Sequence, residues 1–363
     1  MARRVFLTGF PGFLGSELVR RVLGRDGDAQ FVCLVQEKFA PLARERAAAI
    51  TREAGVPAAR IELVAGDITK NGLGLADDRA AARGITEVFH LAAVYDLTVR
   101  RDVGMRINVD GTRNVLDFAV KAPRLERFHY VSTCYVSGRF PGIFRETDLE
   151  RGQKFNNFYE ETKYLAELDV RARAESGLPV TIYRPGIVVG DSRTGETQKY
   201  DGPYFILRWL LKQPTVAVLP VPPGVDRMRV NFVPRDFVVG AIDALSTLPA
   251  ALGQCYQLAD PDPPTIDATI SHMGEAAGRV VVRIPMPVAV AKAAIDWVPG
   301  VYRLMGIPSD AVDYFAQPTF YDTTNATRDL APLGIACPPF ASYLPRLVEF
   351  VRKHPEISAA AMI

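Results

Sequence analysis

The chain has 363 residues, of which 48% are hydrophobic and 23% charged, an ordinary globular composition that excludes a disordered or collagen-like chain. At about 150 residues per domain this length predicts roughly two domains. Lys and Arg number 43 against 41 Asp and Glu, a net charge of +2, so charge gives no reason to expect a nucleic-acid partner.

Residues 4–8 form an apolar run that predicts a strand, and 14–23 place apolar side chains at 14, 18, 19, 22 and 23, the spacing of a helix. Further strands are predicted over 31–35, 61–65, 88–92, 127–132 and 179–183, and helices over 41–54, 108–119 and 159–175. Such strand–helix alternation argues for a parallel sheet covered on both faces. After Gly190 the texture changes: 191–228 are rich in Gly, Pro and aromatics, and 261–363 carry many prolines among short apolar runs. Between them, 229–233, a helical 236–245 and 255–258 are expected to return to the main sheet. The expected fold is α/β, a Rossmann-type doubly wound parallel sheet with a smaller discontinuous C-terminal substrate-binding cap. Residues 1–190 and 229–260 would bind the nucleotide, and 191–228 and 261–363 would form the cap.

The opening Met1-Ala2-Arg3-Arg4 and VFLTGFPGFLG imitate a leader, but no small-x-small cleavage site follows. The nearest approach to a membrane span, VVVRIPMPVAVAKAAI, is broken by Arg283, Lys292 and two prolines. Cys33, Cys134, Cys255 and Cys337 are far apart and form no C-x-x-C pair. The reading is a soluble cytoplasmic protein with no metal site and no disulfide framework.

Thr8-Gly9-Phe10-Pro11-Gly12-Phe13-Leu14-Gly15 lies between the first strand and the first helix, where a glycine-rich turn lets backbone approach a pyrophosphate at a helix N-terminus. The second strand ends Val35-Gln36-Glu37-Lys38. An acid there would take a ribose 2′-hydroxyl and a cation a 2′-phosphate. Lys38 beside Gln36 favours NADPH, while Glu37 keeps NAD open. Gly66-Asp67-Ile68 would set the Asp67 carboxylate against the adenine, with a turn or helix cap as the competing role.

Tyr159 and Lys163 stand four apart on a predicted helix and so share one face. The ammonium is expected to draw the phenol toward the working range of a general acid, and Lys163 to donate to ribose hydroxyls. Upstream, Val131-Ser132-Thr133-Cys134-Tyr135-Val136-Ser137-Gly138 offers hydroxyls at a strand end. Cys134 has no His placed to activate it and reads as packing. His90 and His129 flank strand ends and read as structural.

These three motifs, in this order, make the chain similar to the extended short-chain dehydrogenase/reductase superfamily over roughly residues 4–260. The resemblance places the catalytic hydroxyl on Thr133, with Ser132 as its neighbour, and extends the cofactor site to Leu91-Ala92-Ala93, Asn108, Pro185 and Gly186. The phrases TGFPGFLGSELVRRVL, FHLAAVYDLT, VSTCYVSG, YEETKYLAE and YRPGIVVGDSRTGE look most like the thioester-reductase and fatty acyl-CoA reductase branch, although that branch tends to carry Arg where this chain has Gln36. It implies lipid metabolism and an NADPH-dependent reduction of an apolar acyl group on CoA or a carrier, giving aldehyde, with a further reduction to alcohol left open. Reduction of an aldehyde, ketone or hydroxy-lipid is the alternative, and sugar-nucleotide epimerisation or dehydration is less favoured. The partner is a small molecule, with a homodimer left open. The apolar stretches 200–210 and 284–304 would line an acyl tunnel or form cap core. Trp297, Tyr302 and Leu304, flanked by Lys292 and Arg303, would be the place for a membrane surface to dock.

Overall fold

The computed structural model describes residues 3–95, 99–298, 306–316 and 318–358. Its strands are β1 (Arg4–Thr8), β2 (Gln30–Val35), β3 (Ile61–Ala65), β4 (Glu87–His90), β5 (Arg127–Val131), β6 (Gly142–Phe144), β7 (Val180–Pro185), β8 (Ile187–Val189), β9 (Val216–Val221), β10 (Phe232–Pro234), β11 (Cys255–Leu258), β12 (Val280–Pro285) and β13 (Thr319–Tyr321). Seven of them form one parallel sheet in the order β11-β7-β5-β4-β1-β2-β3. The chain leaves β1 in one direction for β2 and returns on its other side through β4. A crevice therefore opens at the carboxyl ends of β1 and β4, where such sheets bind ligands. Thr8 marks that edge, in register with Leu34 on one side and His90 on the other.

Both faces of the sheet are covered, which is why its strands read as unbroken apolar runs. One core packs Leu18, Val19, Val22 and Leu23 of the helix Phe13–Arg25 with Ile50 of the helix Ala40–Ala54 and Val238 and Ile242 of the helix Arg235–Thr247. The opposite core packs Val115, Leu116 and Phe118 of the helix Gly111–Ala119 with Ala166 and Val170 of the helix Phe158–Glu175.

Of the three segments expected to rejoin the sheet, β11 does so at its edge, and the helix Arg235–Thr247 covers a face. Over 229–233 the outcome differs: β10 starts only at Phe232 and pairs with β8 in a separate two-stranded sheet. The helix expected at 108 begins earlier, with helical turns over Arg101–Gly104 and Met105–Asp110. Those turns carry Val103, Met105, Ile107 and Val109 at a spacing of two, which reads as a strand rather than a helix.

A third core joins Tyr200, Tyr204, Leu207 and Leu210 with Ile266, Ile270 and Met273 and with Leu344, Leu347 and Val351 of the helix Phe340–Lys353. The apolar 200–210 stretch is thus largely core. β9 and β12 form a parallel pair whose Val216, Val218, Val280, Val282 and Ile284 face outward. Trp297 is 84% exposed, whereas Tyr302, Arg303 and Leu304 lie outside the described residues. The helix Thr324–Leu330 instead sets Ala326 and Leu330 into the main-sheet core. Among the described residues no helix is long and apolar enough to cross a membrane, and no group of three or more His, Cys, Asp or Glu could hold a metal.

Candidate active site

A cleft of about 410 Å³ lies over the crevice at β1 and β4 and is lined by the glycine-rich turn, the β2 and β3 ends, the 91–95 segment, Thr133, Tyr159, Lys163, Pro185 and Gly186. Sequence positions more than 170 apart therefore face one space. Gly9 adopts φ +97°, and a Cβ there would lie 2.9 Å from the Ala92 nitrogen. A Cβ on Gly12 or Gly15 would come within 2.7 or 2.5 Å of the Gly9 carbonyl oxygen. The turn is thus closed by backbone packing that only glycine permits. The helix Phe13–Arg25 that follows has no side-chain cap and no acid in its first turn. Its N–H groups and dipole are left for an anion, so the residues present fit a dinucleotide's pyrophosphate.

At the β2 end Gln36 reaches the cleft and hydrogen-bonds Asp67. Asp67 Oδ1 also accepts from the Thr69 N–H and hydroxyl, each at 2.9 Å. Burial would raise this carboxyl, but those bonds hold it below the usual range. Asp67 serves the turn and the cleft wall together, with Ile68 beside it on the same wall. Lys38 stands on an adjoining, more open cleft that also collects Lys70 and Arg106. Neither of those two cations is marked by a sequence motif. Asn108 is fully buried and off the cleft. Its Oδ1 accepts from the Val94 N–H at 2.9 Å, and its Nδ2 donates to Val94 O at 3.3 Å and Thr162 Oγ1 at 3.0 Å. It pins the 91–95 wall from behind.

Thr133 sits just beyond β5, where the Tyr135 N–H donates to its hydroxyl at 3.2 Å, and that hydroxyl also bonds the Tyr159 phenol. Ser132 points away, donating to Glu167 Oε2 at 2.6 Å. Tyr159 is held in a T-shaped contact with Tyr95, ring centres 5.0 Å apart. Lys163 Nζ donates to Tyr130 Oη at 3.0 Å and to Val131 O at 2.9 Å, leaving its third donor for the cleft.

The expected lowering of the Tyr159 phenol does not occur. Burial pushes it well above its ordinary value, the Thr133 hydrogen bond pulling only partly back, because Lys163 is turned toward Tyr130. Burial also pushes Lys163 down to about 7, against the pull of Glu167. Behind it, Tyr130 bonds Thr112. The Thr112 hydroxyl donates to Asn108 O at 2.6 Å, so it receives the His90 Nε2–H, and Thr8 donates to His90 Nδ1 at 2.7 Å. Burial drives His90 down to about 3, so it is a neutral, structural link. Burial likewise raises the Cys134 thiol, which donates to Arg184 O, as a packing residue should.

Three further groups escaped the sequence reading. Lys199 pairs with Asp201 at 2.9 Å and donates to Tyr95 O at 3.2 Å, and both line the cleft. Tyr135 also lines it and meets Tyr314 at 4.9 Å between ring centres. Lys199 and Asp201 come from a loop with no fixed spacing to any motif, whereas Tyr135 stands two residues after Thr133 within 131–138.

The family model described as Male sterility protein matches residues 7–242. The non-canonical nonribosomal peptide synthetase FrzA of Cladobotryum sp is 30% identical over 273 residues, 71% of this chain and 26% of that protein. Aldehyde reductase lnaA of Aspergillus flavus is 29% identical over 275 residues, again 71% of this chain and 26% of that one. The chain spans about a quarter of the length of the curated relatives it matches. The crystal structure of the terminal R domain from the myxalamid PKS-NRPS biosynthetic pathway covers 98% of this chain and 92% of its own, with a TM-score of 0.81 at 27% identity.

Proposed function

The chain belongs to the Male sterility protein family, a branch of the extended short-chain dehydrogenases/reductases, and from that premise we propose that this nicotinamide-dependent oxidoreductase uses NADPH to reduce an acyl thioester, on CoA or a carrier, in the cytoplasm. The observation that carries the reading is the meeting of the glycine-rich turn, Thr133, Tyr159 and Lys163 in one cleft. Likeness to a terminal R domain along nearly the whole chain supports the thioester. Lys38, Lys70 and Arg106 around one opening beside Gln36 support a 2′-phosphate and hence NADPH. The division into a nucleotide part and a cap is proposed as read from the sequence, with the helix Thr324–Leu330 reassigned to the nucleotide part.

The cofactor supplies hydride to the acyl carbon. Thr133 and Tyr159 would both donate to the carbonyl oxygen, stabilising the charge that grows there in the transition state. Tyr159, kept protonated by burial, would then surrender its proton to that oxygen. The resulting hemithioacetal breaks its C–S bond, giving aldehyde and free thiol. Lys163 would orient the cofactor ribose with its remaining donor while anchored to Val131 and Tyr130. A relative named as an aldehyde reductase favours a second reading, reduction of a delivered aldehyde to the alcohol by the same residues. The test is NADPH oxidation with a long-chain acyl-CoA and, separately, with the matching aldehyde. Thiol release with the acyl-CoA establishes thioester reduction, and activity with the aldehyde alone makes the protein a carbonyl reductase.

A further inference from the structure

One face of the β9–β12 pair is left uncovered. The strands run parallel in the register Val216↔Val280, Val218↔Val282 and Pro220↔Ile284. Side chains alternate across a strand, and Ala217, Leu219 and Val221 turn inward to the core that holds Ile270 and Met273. Val216, Val218, Pro220, Val280, Val282 and Ile284 therefore point the other way, and all but Pro220 are 38–62% exposed. The solvated face of a strand ordinarily carries polar side chains, whereas every outward position here is hydrocarbon. Among the described residues fourteen large apolar side chains are exposed, and eight of them belong to this pair or to Val290, Trp297 and Val298 just after it. Such a cluster, unlike single exposed residues, marks an interaction site.

One end of the face is bordered by cations. Because the strands are parallel, both enter at the same end, with Lys212 four residues before Val216 and Arg279 directly before Val280. Arg279 donates to Gln213 O at 2.9 Å. Arg352 donates to Ala277 O at 2.9 Å, so the helix Phe340–Lys353 brings a third cation to that end. None of the three pairs with an acid among the described residues. In the helix Ile266–Ala277, Asp267 is taken by Arg283 at 2.6 Å, which leaves Glu275 as its one acid to offset them.

We propose that this face docks on a lipid bilayer carrying anionic headgroups. The six outward side chains would sink into the boundary between headgroups and acyl chains, and Lys212, Arg279 and Arg352 would meet the headgroup charge. None of the six carries a polar atom, so the face can return none of the roughly ten hydrogen bonds of a protein interface. It also falls short of the ~20–30 residues a side that such an interface uses. Nor can β9 accept a further strand at Val218, because Trp209 Nε1 and Gln213 Nε2 donate to the Val218 carbonyl and the Val218 N–H donates to Gln213 Oε1. Hydrocarbon asks for no hydrogen bonds, and an anionic leaflet attracts the basic border. Docking of this kind is independent of which acyl derivative is reduced in the cleft.

Co-sedimentation of the whole chain with vesicles tests this without any turnover. The wild type should pellet with vesicles of equal parts phosphatidylcholine and phosphatidylserine, and bind phosphatidylcholine alone at least tenfold more weakly. The triple variant Val216→Thr, Val218→Thr, Val282→Thr keeps the β-branched shape and makes the face polar, and should lose more than tenfold in affinity. Lys212→Gln and Arg352→Gln should each lose about fivefold, and added salt should weaken the wild type in the same way. Every variant should keep the wild-type melting temperature and NADPH binding, which separates lost docking from a lost fold. A wild type that stays in the supernatant with both vesicles would overturn the proposal, as would binding that neither the threonines nor the glutamines weaken. A dimer in solution that the threonine variant dissolves, with no vesicle binding, would assign the face to a second copy of the chain instead.

Discussion

The proposed reduction needs its general acid protonated at neutral pH, and the surroundings of Tyr159, the residue proposed for that role, enforce that form. Burial raises the phenol, and the group that should lower it, Lys163, spends two donors on Tyr130 and Val131. Tyr159→Phe should therefore lower kcat by about 10²–10⁴-fold and leave NADPH binding, followed by its fluorescence, unchanged. Full activity in that variant would remove Tyr159 from the chemistry. The cations beside the β2 end make a separable prediction, because Lys38 and Arg106 border an opening away from the reacting centre. Replacing either with Ala should weaken NADPH about tenfold and spare NADH. Equal losses for both cofactors would overturn the phosphate assignment. At this scale the motif residues were legible because their chemistry fixes their spacing: a tight turn, or one helix face. Lys70, Arg106, Lys199 and Asp201 have no such spacing, and only the folded chain brings them to the clefts.

Elements are held in place around the site by one carboxylate. Glu167, from the helix Phe158–Glu175 that also carries Tyr159 and Lys163, accepts from Ser132 beyond β5 and from Arg184 in β7 at 2.6 Å, with both partners of the ion pair fully buried. Burial would raise this carboxyl, but Arg184 holds it below its ordinary range. Removing one partner of a buried pair strands the other's charge. Glu167→Ala should then cost about 3–5 kcal/mol in denaturant unfolding, and a loss too small to measure would show the pair is relaxed by water. The carboxylate's role was hidden because a Glu on a helix reads as solvent-facing until its neighbours are known. The strands and helices of the main sheet were legible from their periods. The π-turn at Met105–Asp110 and the helix Phe340–Lys353 were not. The first alternates Met105, Ile107 and Val109 like a strand, and the second carries Pro345 in its interior, which argues against a helix locally.

Across the whole molecule, two buried carboxyls tie segments from the last part of the chain to earlier ones. Glu146 accepts from the backbone N–H groups of Gln257 in β11 and of Asn325 and Ala326 in the helix Thr324–Leu330. Glu160, next to Tyr159, accepts from Asn156 and bonds Tyr314. Burial pushes each up from 4.5 to about 7. Asp322 near the first and Asp313 near the second add to the rise, and the hydrogen bonds oppose it. Groups whose folded value lies above the unfolded one bind more protons in the native state. Their contribution to stability is fully present below pH 4.5 and is lost as pH rises through about 7. Glu87 has the opposite sign: burial alone would raise it, but His129 Nε2 at 3.7 Å and the Arg3 guanidinium bonded to it hold it at about 2. Its contribution is complete above pH 4.5, so it does not overlap this window. Melting temperatures of the wild type, Glu146→Gln and Glu160→Gln followed from pH 4.5 to beyond pH 7 should therefore diverge. Each variant should gain on the wild type through that range and hold a constant offset above it. Curves that stay parallel would mean both carboxylates ionise freely in the native protein, and the contacts that tie the last part of the chain down would then carry no proton-linked stability.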